Sequence, residues 1–492
     1  MKVNELIAGT DQQAADPALI VELIKTCQRV GAASVPTKDV TTDYETPQSR
    51  IDLFLRQYDP LKHDIMDKSK IPDNVIHTDD GQKVEEVNRR ALPFQKVIVN
   101  KRSTFLFGTP VDLVCQAKKE EEKLLLKAIQ KIWDDAKLDA LNREVARHLF
   151  VTTQVAECWY PITKKEKSDD YGFESNIRFR VQLFSALNGD SLYPYYDEYG
   201  DLVAFGRGVE RTALIDGKVK KGIPHLEVYT DEETVIFRQI DNRWQVADTK
   251  PNKLKKIPIV YAEQPTVEWH DVQDTITRLE IMFSRFGDTN DYHSSPILFV
   301  KGALTTMAKK GSSKKVFKNT DGQGDMKYVS WDHAVDSVKL ELETLLRFIH
   351  GNSQTPDLSF DSLKGLQAIS GKALEMLLVD AKLSAQDKHE IFLPYLLRRI
   401  RILSAYVGII NTDLTETAKK LPIMPVINAF RVDDVSDLIT DLSQAVAGKP
   451  IMSQREAVKK LGMVEDVDQE MNQIGEEERK SKEVDLGEPT TI

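Results

Sequence analysis

Cysteine is scarce: the chain has three, Cys27, Cys115 and Cys158, far apart and without a CxxC pair. That count excludes a disulfide framework and a paired-cysteine zinc site, and it suits a reducing compartment. Long apolar runs are missing too, and none approaches the roughly 20 residues that a membrane-spanning helix needs. The opening MKVNELIAGTDQQAADPALI lacks the charged-then-apolar pattern of an export signal. The expectation is an intracellular chain with no membrane partner, or one that leaves the cell only by lysis. Positive charge is not in excess. The formal net charge of −10 gives no general affinity for nucleic acid or anionic lipid, although local basic loops can still touch DNA.

Reaction centres are equally hard to find. The nine histidines are scattered, with no pair at metal-ligand spacing. HEIF at His389 begins like a zinc-protease helix, but Leu393 stands where the second histidine belongs. Asp79-Asp80 and Asp433-Asp434 sit in polar runs or at expected helix starts, where capping accounts for them. SLKGLQAISGKALEM, residues 362–376, looks like a phosphate-binding loop opening a helix. Counting back from Gly371-Lys372, however, the first glycine of that motif falls on Leu366, and the magnesium-binding hydroxyl falls on Ala373. No GxSxG, Rossmann glycine set or Cys–His arrangement stands out. The reading is a non-enzymatic protein with no catalytic residue, no metal and no cofactor.

What is present is organisation. At 492 residues, 41% hydrophobic and 29% charged, the chain is long enough for two to four folded domains. A first helix is expected at 16–30, then a Pro/Asp/Lys-rich stretch at 58–80, an apolar segment at 88–111 and a charged helix at 118–146. From 151 to 262 the texture changes to short strand-like runs: VAECWYPI, IRFRVQLFSA, DLVAFGRGVER, HLEVYTDEETVIFRQIDNRWQVAD and IPIVYAE. Asp-Gly, Asn-Gly and Tyr-Gly turns punctuate them, which predicts an antiparallel sheet.

After Pro265 the helical period returns. Val272, Ile276, Leu279, Met282 and Phe283 mark one amphipathic helix; Val335, Val338, Leu342, Leu345, Leu346 and Ile349 mark another. The insert between them, 287–332, holds the strand-like ILFVKG and MKYVSW around the basic loop KKGSSKKVFK. The longest helical pattern follows at 370–411, roughly 60 Å if continuous, and Pro394 is expected to kink or split it. The tail is helical, and its last ten residues are expected to be disordered. The fold class is α+β, predominantly helical.

The order of these parts resembles the portal protein of tailed bacteriophages, in the siphophage-type family. NRRALPFQKVIVNKRSTFLFGTPV is similar to the family's early apolar helix with its Gly-x-Pro-Val ending, and DVQDTITRLEIMFSRFGDTND to its first stem helix. SQTPDLSFDSLKGLQAISGKALE resembles the Thr-Pro-Asp, loop, Ser-Gly-x-Ala-Leu passage before the long helix. GKPIMSQREAVKKLGMVEDVDQEMNQIGEEE resembles the acidic C-terminal passage. The likeness covers roughly 88–478; the first 50 residues match nothing in it, and Lys372 fills a position commonly small or apolar in the family.

The resemblance implies a homo-oligomeric ring of about twelve copies, at one capsid vertex of a virion assembled in the host cytoplasm. Its channel passes double-stranded DNA during packaging and ejection. Its partners are the terminase large subunit, a head–tail adaptor, and the major capsid and scaffold proteins. The implied division is 1–262 as the first part of a wing, 263–286 and 333–352 as stem helices, and 287–332 as a clip. Then come 353–369 as a tunnel loop, 370–430 as the long kinked helix returning to the wing, 431–480 as a crown, and 481–492 as a disordered tail. DNA-facing loop residues would be Thr355, Asp357, Asp361, Lys364, Gly365 and Gly371, with the glycines giving backbone freedom and the acids keeping the surface from gripping DNA. Lys309, Lys310, Lys314, Lys315 and Lys318 would touch DNA or adaptor, weakly from one copy and strongly as a collar in a ring. Arg398, Arg399 and Arg401 are candidates for contacts between subunits. The alternatives are a phage DNA-processing enzyme with a degenerate nucleotide loop, or a non-ring minor head or scaffold protein.

Overall fold

The computed structural model describes residues 1–6, 16–26, 47–78, 81–215, 218–293, 297–301, 304–306, 318–319, 325–329, 335–357, 376–428, 435–448, 450–464 and 466–485. They fall into two compact units, Met1–Pro356 with Asp380–Phe430, and Asp357–Val379 with Arg431–Ile492.

The first unit opens with helices α1 (Pro17–Thr26) and α2 (Pro47–Tyr58) and a hairpin, β1 (Asn74–Thr78) with β2 (Gly81–Glu85). Helix α3 (Phe94–Phe107) starts directly after Pro93, which cannot continue a preceding ladder, and stops at Gly108 before Pro110. A short strand β3 (Asp112–Val114) leads to α4 (Glu120–Asp135) and α5 (Leu138–Thr152). Glu120, Glu121 and Glu122 crowd the positive end of α4, and Glu122 accepts the Lys118 and Lys119 amides at 2.7 and 3.1 Å. The single charged helix expected at 118–146 is therefore two. Lys137 adopts the left-handed conformation, φ 51°. The turn is tied by Asp139, whose carboxylate accepts the Trp133 indole and the Val111 amide at 3.2 Å each.

The strand-rich region folds as expected, antiparallel throughout, but as two sheets. Strands β4 (Gln154–Ser168), β5 (Ser175–Phe184) and β11 (Ile259–Glu263) pair in the order β11-β4-β5. Strands β6 (Ser191–Tyr196), β7 (Leu202–Ile215), β8 (Lys218–Tyr229), β9 (Glu233–Ile240) and β10 (Arg243–Pro251) pair in the order β10-β9-β8-β7-β6. Helix α1 covers the larger sheet through Ile20, Val21 and Ile24 against Ala204, Leu226 and Phe237. Gly206 permits this approach, since a Cβ there would lie 2.5 Å from the Ile24 side chain. Ala156, Cys158 and Phe184 of one sheet meet Leu192 and Phe205 of the other. Beside this seam Arg207 is buried between Asp190 and Glu227, at 2.8 and 3.2 Å, with its guanidinium 3.9 Å from the Phe184 ring centre.

Helix α6 (Gln273–His293) follows a short 3-10 turn. Its bounds differ from the expected 263–286. Residues before 264 are spent on β11, and the helix runs on through Gly287, which had been assigned to the insert. The extra turns are held by the chain at 88–92: Asn88 donates its amide to Asp288 and its side chain to Asp291, at 2.7 and 2.8 Å. More than two turns earlier, buried His63 and the Leu92 amide share the Glu280 carboxylate. Strands β12 (Ile297–Lys301), β13 (Leu304–Thr306), β14 (Lys318–Asn319) and β15 (Asp325–Val329) make two small antiparallel ladders, β12 with β15 and β13 with β14. Helix α7 (Val335–Asn352) packs against α6, with Arg278 bonded to Glu341 at 2.7 Å.

Helices α8 (Val379–Asp387), α9 (His389–Ile410) and α10 (Thr415–Lys420) and strand β16 (Met424–Val426), paired with β3, complete the unit. The described part of the expected 370–411 helix breaks at Leu378 and at Lys388, not at Pro394. Proline removes the bond to the carbonyl four residues back. Here that residue is Glu390, in the first turn, so α9 continues across Pro394 and the nearer interruption falls upstream, at Lys388.

Arg399, expected as a contact between subunits, is buried instead. Its side chain is 0% exposed and lies within its own subunit, donating to both Glu157 oxygens at 2.7 and 2.8 Å and to Asn142 at 2.5 Å. The reason is the helix phase: Phe392, Tyr395, Leu396, Arg399, Ile402, Leu403 and Tyr406 form one buried face, and Arg399 falls within it.

The second unit contains α11 (Val435–Val446), α12 (Gln454–Leu461) and α13 (Val467–Asp485). Ser453 caps α12 by accepting the Glu456 amide, Gly462 ends it at φ 67°, and Arg455 pairs with Asp468 of α13 at 2.7 Å. Helix α13 runs to Asp485, so residues 481–485 are helical where a disordered tail was expected.

Candidate functional site

The candidate loop begins where α7 ends. Gly351 and Asn352 close the last turn, and Gln354 takes a left-handed φ of 49° that turns the chain back. The Thr355 amide then donates to His350 O at 3.0 Å, and the Ser353 and Thr355 hydroxyls meet at 2.9 Å. Thr355 is thus buried, 2% exposed, and spent on ending the helix; it is not a DNA-facing residue. Asp357 is exposed. Asp361, Lys364, Gly365 and Gly371 lie outside the described residues, as do Lys309, Lys310, Lys314 and Lys315. Lys318 stands in β14, opposite Thr306 of β13.

Three charged side chains converge on this helix end. From α3, Arg102 donates to the Ser353 carbonyl through Nε and Nη2, at 3.2 and 2.8 Å, and through Nη1 to Glu268. Glu268 lies between β11 and α6 with its side chain 1% exposed. Its other oxygen is 2.5 Å from Lys388 Nζ, at the break before α9, and Lys388 also reaches Gln264 at 3.2 Å. Next to Arg102, Lys101 donates to the Pro356 carbonyl at 2.7 Å. Burial pushes the Arg102 guanidinium down to about 10, against the pull of Asp271 and Asp387. Burial, reinforced by the Arg102 charge, pushes the Lys388 ammonium down to about 8. A cavity of about 130 Å³ opens beside the cluster, lined among others by Arg102, Glu268, Asp271, Ser353 and Lys388.

Sequence reasoning missed this cluster. Its only signal is Lys101-Arg102 in the middle of an apolar helix; Glu268 and Lys388 carry no spacing that points to one another. Of the arginine candidates, Arg398 is half-buried and donates to the Ile259 carbonyl at 2.8 Å, while Arg401 is exposed. Among the described residues no group of three or more His, Cys, Asp or Glu side chains is placed to hold a metal ion. No helix of the described residues is long and apolar enough to cross a membrane.

In this arrangement charged side chains hold backbone carbonyls in place. The chain matches the family model described as phage portal protein, SPP1 Gp6-like, over residues 38–484, and it belongs to that family. Among solved structures it is similar to a chain of "Virion of native gene transfer agent (GTA) particle". The identity is 11% and the TM-score 0.35, over 75% of this chain and 89% of that one. It is similar also to a chain of "Neck of empty GTA particle computed with C6 symmetry", at 12% identity and TM-score 0.36, with the same coverage. No curated protein matches it.

Proposed function

We propose that this chain is the subunit of a portal ring of about twelve copies, closed by one repeated head-to-tail interface. In this reading the ring sits at one capsid vertex and passes double-stranded DNA during packaging and ejection. It docks the terminase large subunit and the head–tail adaptor, and it contacts major capsid and scaffold proteins. The first unit's helices and sheets are the wing, α6 and α7 the stem, residues 297–329 the clip, and α11 to α13 the crown. The segment between α7 and α8 faces DNA, with Asp357 and Asp361 opposing adhesion and Lys364 softening the repulsion. Lys309, Lys310, Lys314, Lys315 and Lys318 form the collar, and Arg398 and Arg401 are the remaining candidates between subunits. ATP turnover belongs to the separate motor.

The observation that carries this reading is the family match across 38–484, from α2 into α13. Helix α7 supports it: Leu340 and Phe348 are 65% and 52% exposed, and Ile349 is its buried hydrophobic anchor. A neighbouring copy would remove those side chains from water. Imaging the purified protein by negative stain, with mass measurement, tests the proposal. Rings with an open centre are expected; monomers at all concentrations, or particles plugged throughout, would overturn it. ATP hydrolysis abolished by Lys372→Ala would instead favour the nucleotide-loop enzyme.

A further inference from the structure

The structure assigns to Glu268 the role of a positioning residue, one carboxylate that ties the chain end from which residues 357–379 depart to the turn between α8 and α9 that follows their return. Its meaning for DNA passage rests on the portal reading; the assignment itself rests on geometry. On the departing side, Arg102 joins Glu268 to the Ser353 carbonyl, and Lys101 seconds it at Pro356. On the returning side, Lys388 joins Glu268 to the start of α9. Glu268 is itself anchored, its amide facing the Phe150 carbonyl at 3.4 Å, and the Phe150 ring lies 5.4 Å from Lys388 Nζ.

A buried carboxylate between two cations cannot be replaced by water without cost, because each partner then loses its nearest counter-charge in a poorly solvated place and keeps only the more distant Asp271 or Asp387. Arg102 alone would hold only the end of α7, and Lys388 alone only the start of α9. Glu268 makes the two holdings one. In the portal reading, force applied by DNA to residues 357–379 reaches both α7 and α9, and Glu268 keeps their roots from moving apart.

The test is amide hydrogen exchange on the full chain, comparing wild type with Glu268→Gln, Glu268→Asp, Lys388→Met and Arg102→Lys. Glu268→Gln is expected to raise exchange about tenfold or more at 350–356 and at 380–392 together, with β7 and β8 unchanged as the sign that the fold persists. Glu268→Asp keeps the charge but is one methylene shorter, so it is expected to loosen both ends as well. It decides the matter if Glu268→Gln does not fold. Lys388→Met should loosen 380–392 alone, and Arg102→Lys should loosen 350–356 alone. A Glu268 variant that loosens one end only, neither end, or the whole chain evenly overturns the assignment. Cross-linking of DNA to a photoreactive residue placed at 361 separately tests the portal reading. Coupled ends without DNA cross-links would sink that reading and leave the assignment standing.

Discussion

Arg399→Met tests the buried charge at the centre of the first unit. In the native chain Glu157 accepts two bonds from Arg399 and one from the Trp159 indole, at 3.0 Å, while Asn142 accepts the third Arg399 donor. Methionine fills much of the volume and cannot donate. Glu157 is then left 0% exposed with one neutral donor, and Asn142 loses its guanidinium partner. Breaking such a pair from one side costs about 3–5 kcal/mol. Trp133, whose ring centre is 5.4 Å from the guanidinium, and Trp159 make indole fluorescence a local reporter of urea unfolding. The single variant should move the midpoint far down with little change in slope. The double variant Glu157→Gln/Arg399→Met removes both charges, so it should recover about 2 kcal/mol or more relative to the sum of the single losses. A single-variant loss below about 1 kcal/mol, a value typical of an exposed pair, would refute the argument.

Other expectations concern different links. His63 has Glu280 at Nδ1 and the Gln57 carbonyl at Nε2, both at 2.7 Å, so both ring nitrogens must donate and the imidazolium is favoured. Burial opposes the charge, but Glu280 outweighs it and the pKa is raised above 6.5. The stabilisation is therefore complete below pH 6.5 and is lost as pH rises through the folded value; melts across that window should show it, and His63→Gln should remove the dependence. Asp73 is held down to about 2 by Arg89 and Lys68, so its contribution exists above pH 3.8 and fades only as pH falls towards 2, which NMR titration of the carboxyl checks. Gly206→Ala should destabilise by about 1–3 kcal/mol, through a Cβ driven 2.5 Å from Ile24, and exchange in α1 should rise first. Unchanged melting in that variant would mean that α1 shifts away freely.

Much of the fold is legible where periodicity is local. The apolar run VAECWYPI, the alternation in IRFRVQLFSA and the turns between strands are enough to anticipate antiparallel pairing, since strand and partner are near in sequence. The division into two sheets was not legible, because the seam of Ala156, Phe184 and Phe205 depends on packing between hairpins. The split between α4 and α5 was hidden for another reason. It occurs at Lys137, with neither glycine nor proline to mark it, and is stabilised by Asp139 side-chain bonds that no propensity records. Arg399 is misassigned as a contact between subunits because three arginines in four residues look like an exposed face. The partner that reverses this, Glu157, lies 242 residues away on β4. The Glu268 cluster fails the same way: its three members come from α3, the link before α6 and the start of α9.

These distant pairs fix how α9 sits. Lys388 is held at its start by Glu268, Arg399 by Glu157, and Tyr406 donates its hydroxyl to the Trp159 carbonyl at 2.9 Å. At 1.5 Å per residue the three points span about 27 Å of axis. An apolar face alone would let a helix slide by a fraction of a turn at modest cost, since neighbouring ridges are alike. Three polar anchors with different partners do not permit that, because a slip that satisfies one breaks the others. A slide of α9 along its groove would therefore have to break the Lys388, Arg399 and Tyr406 contacts together.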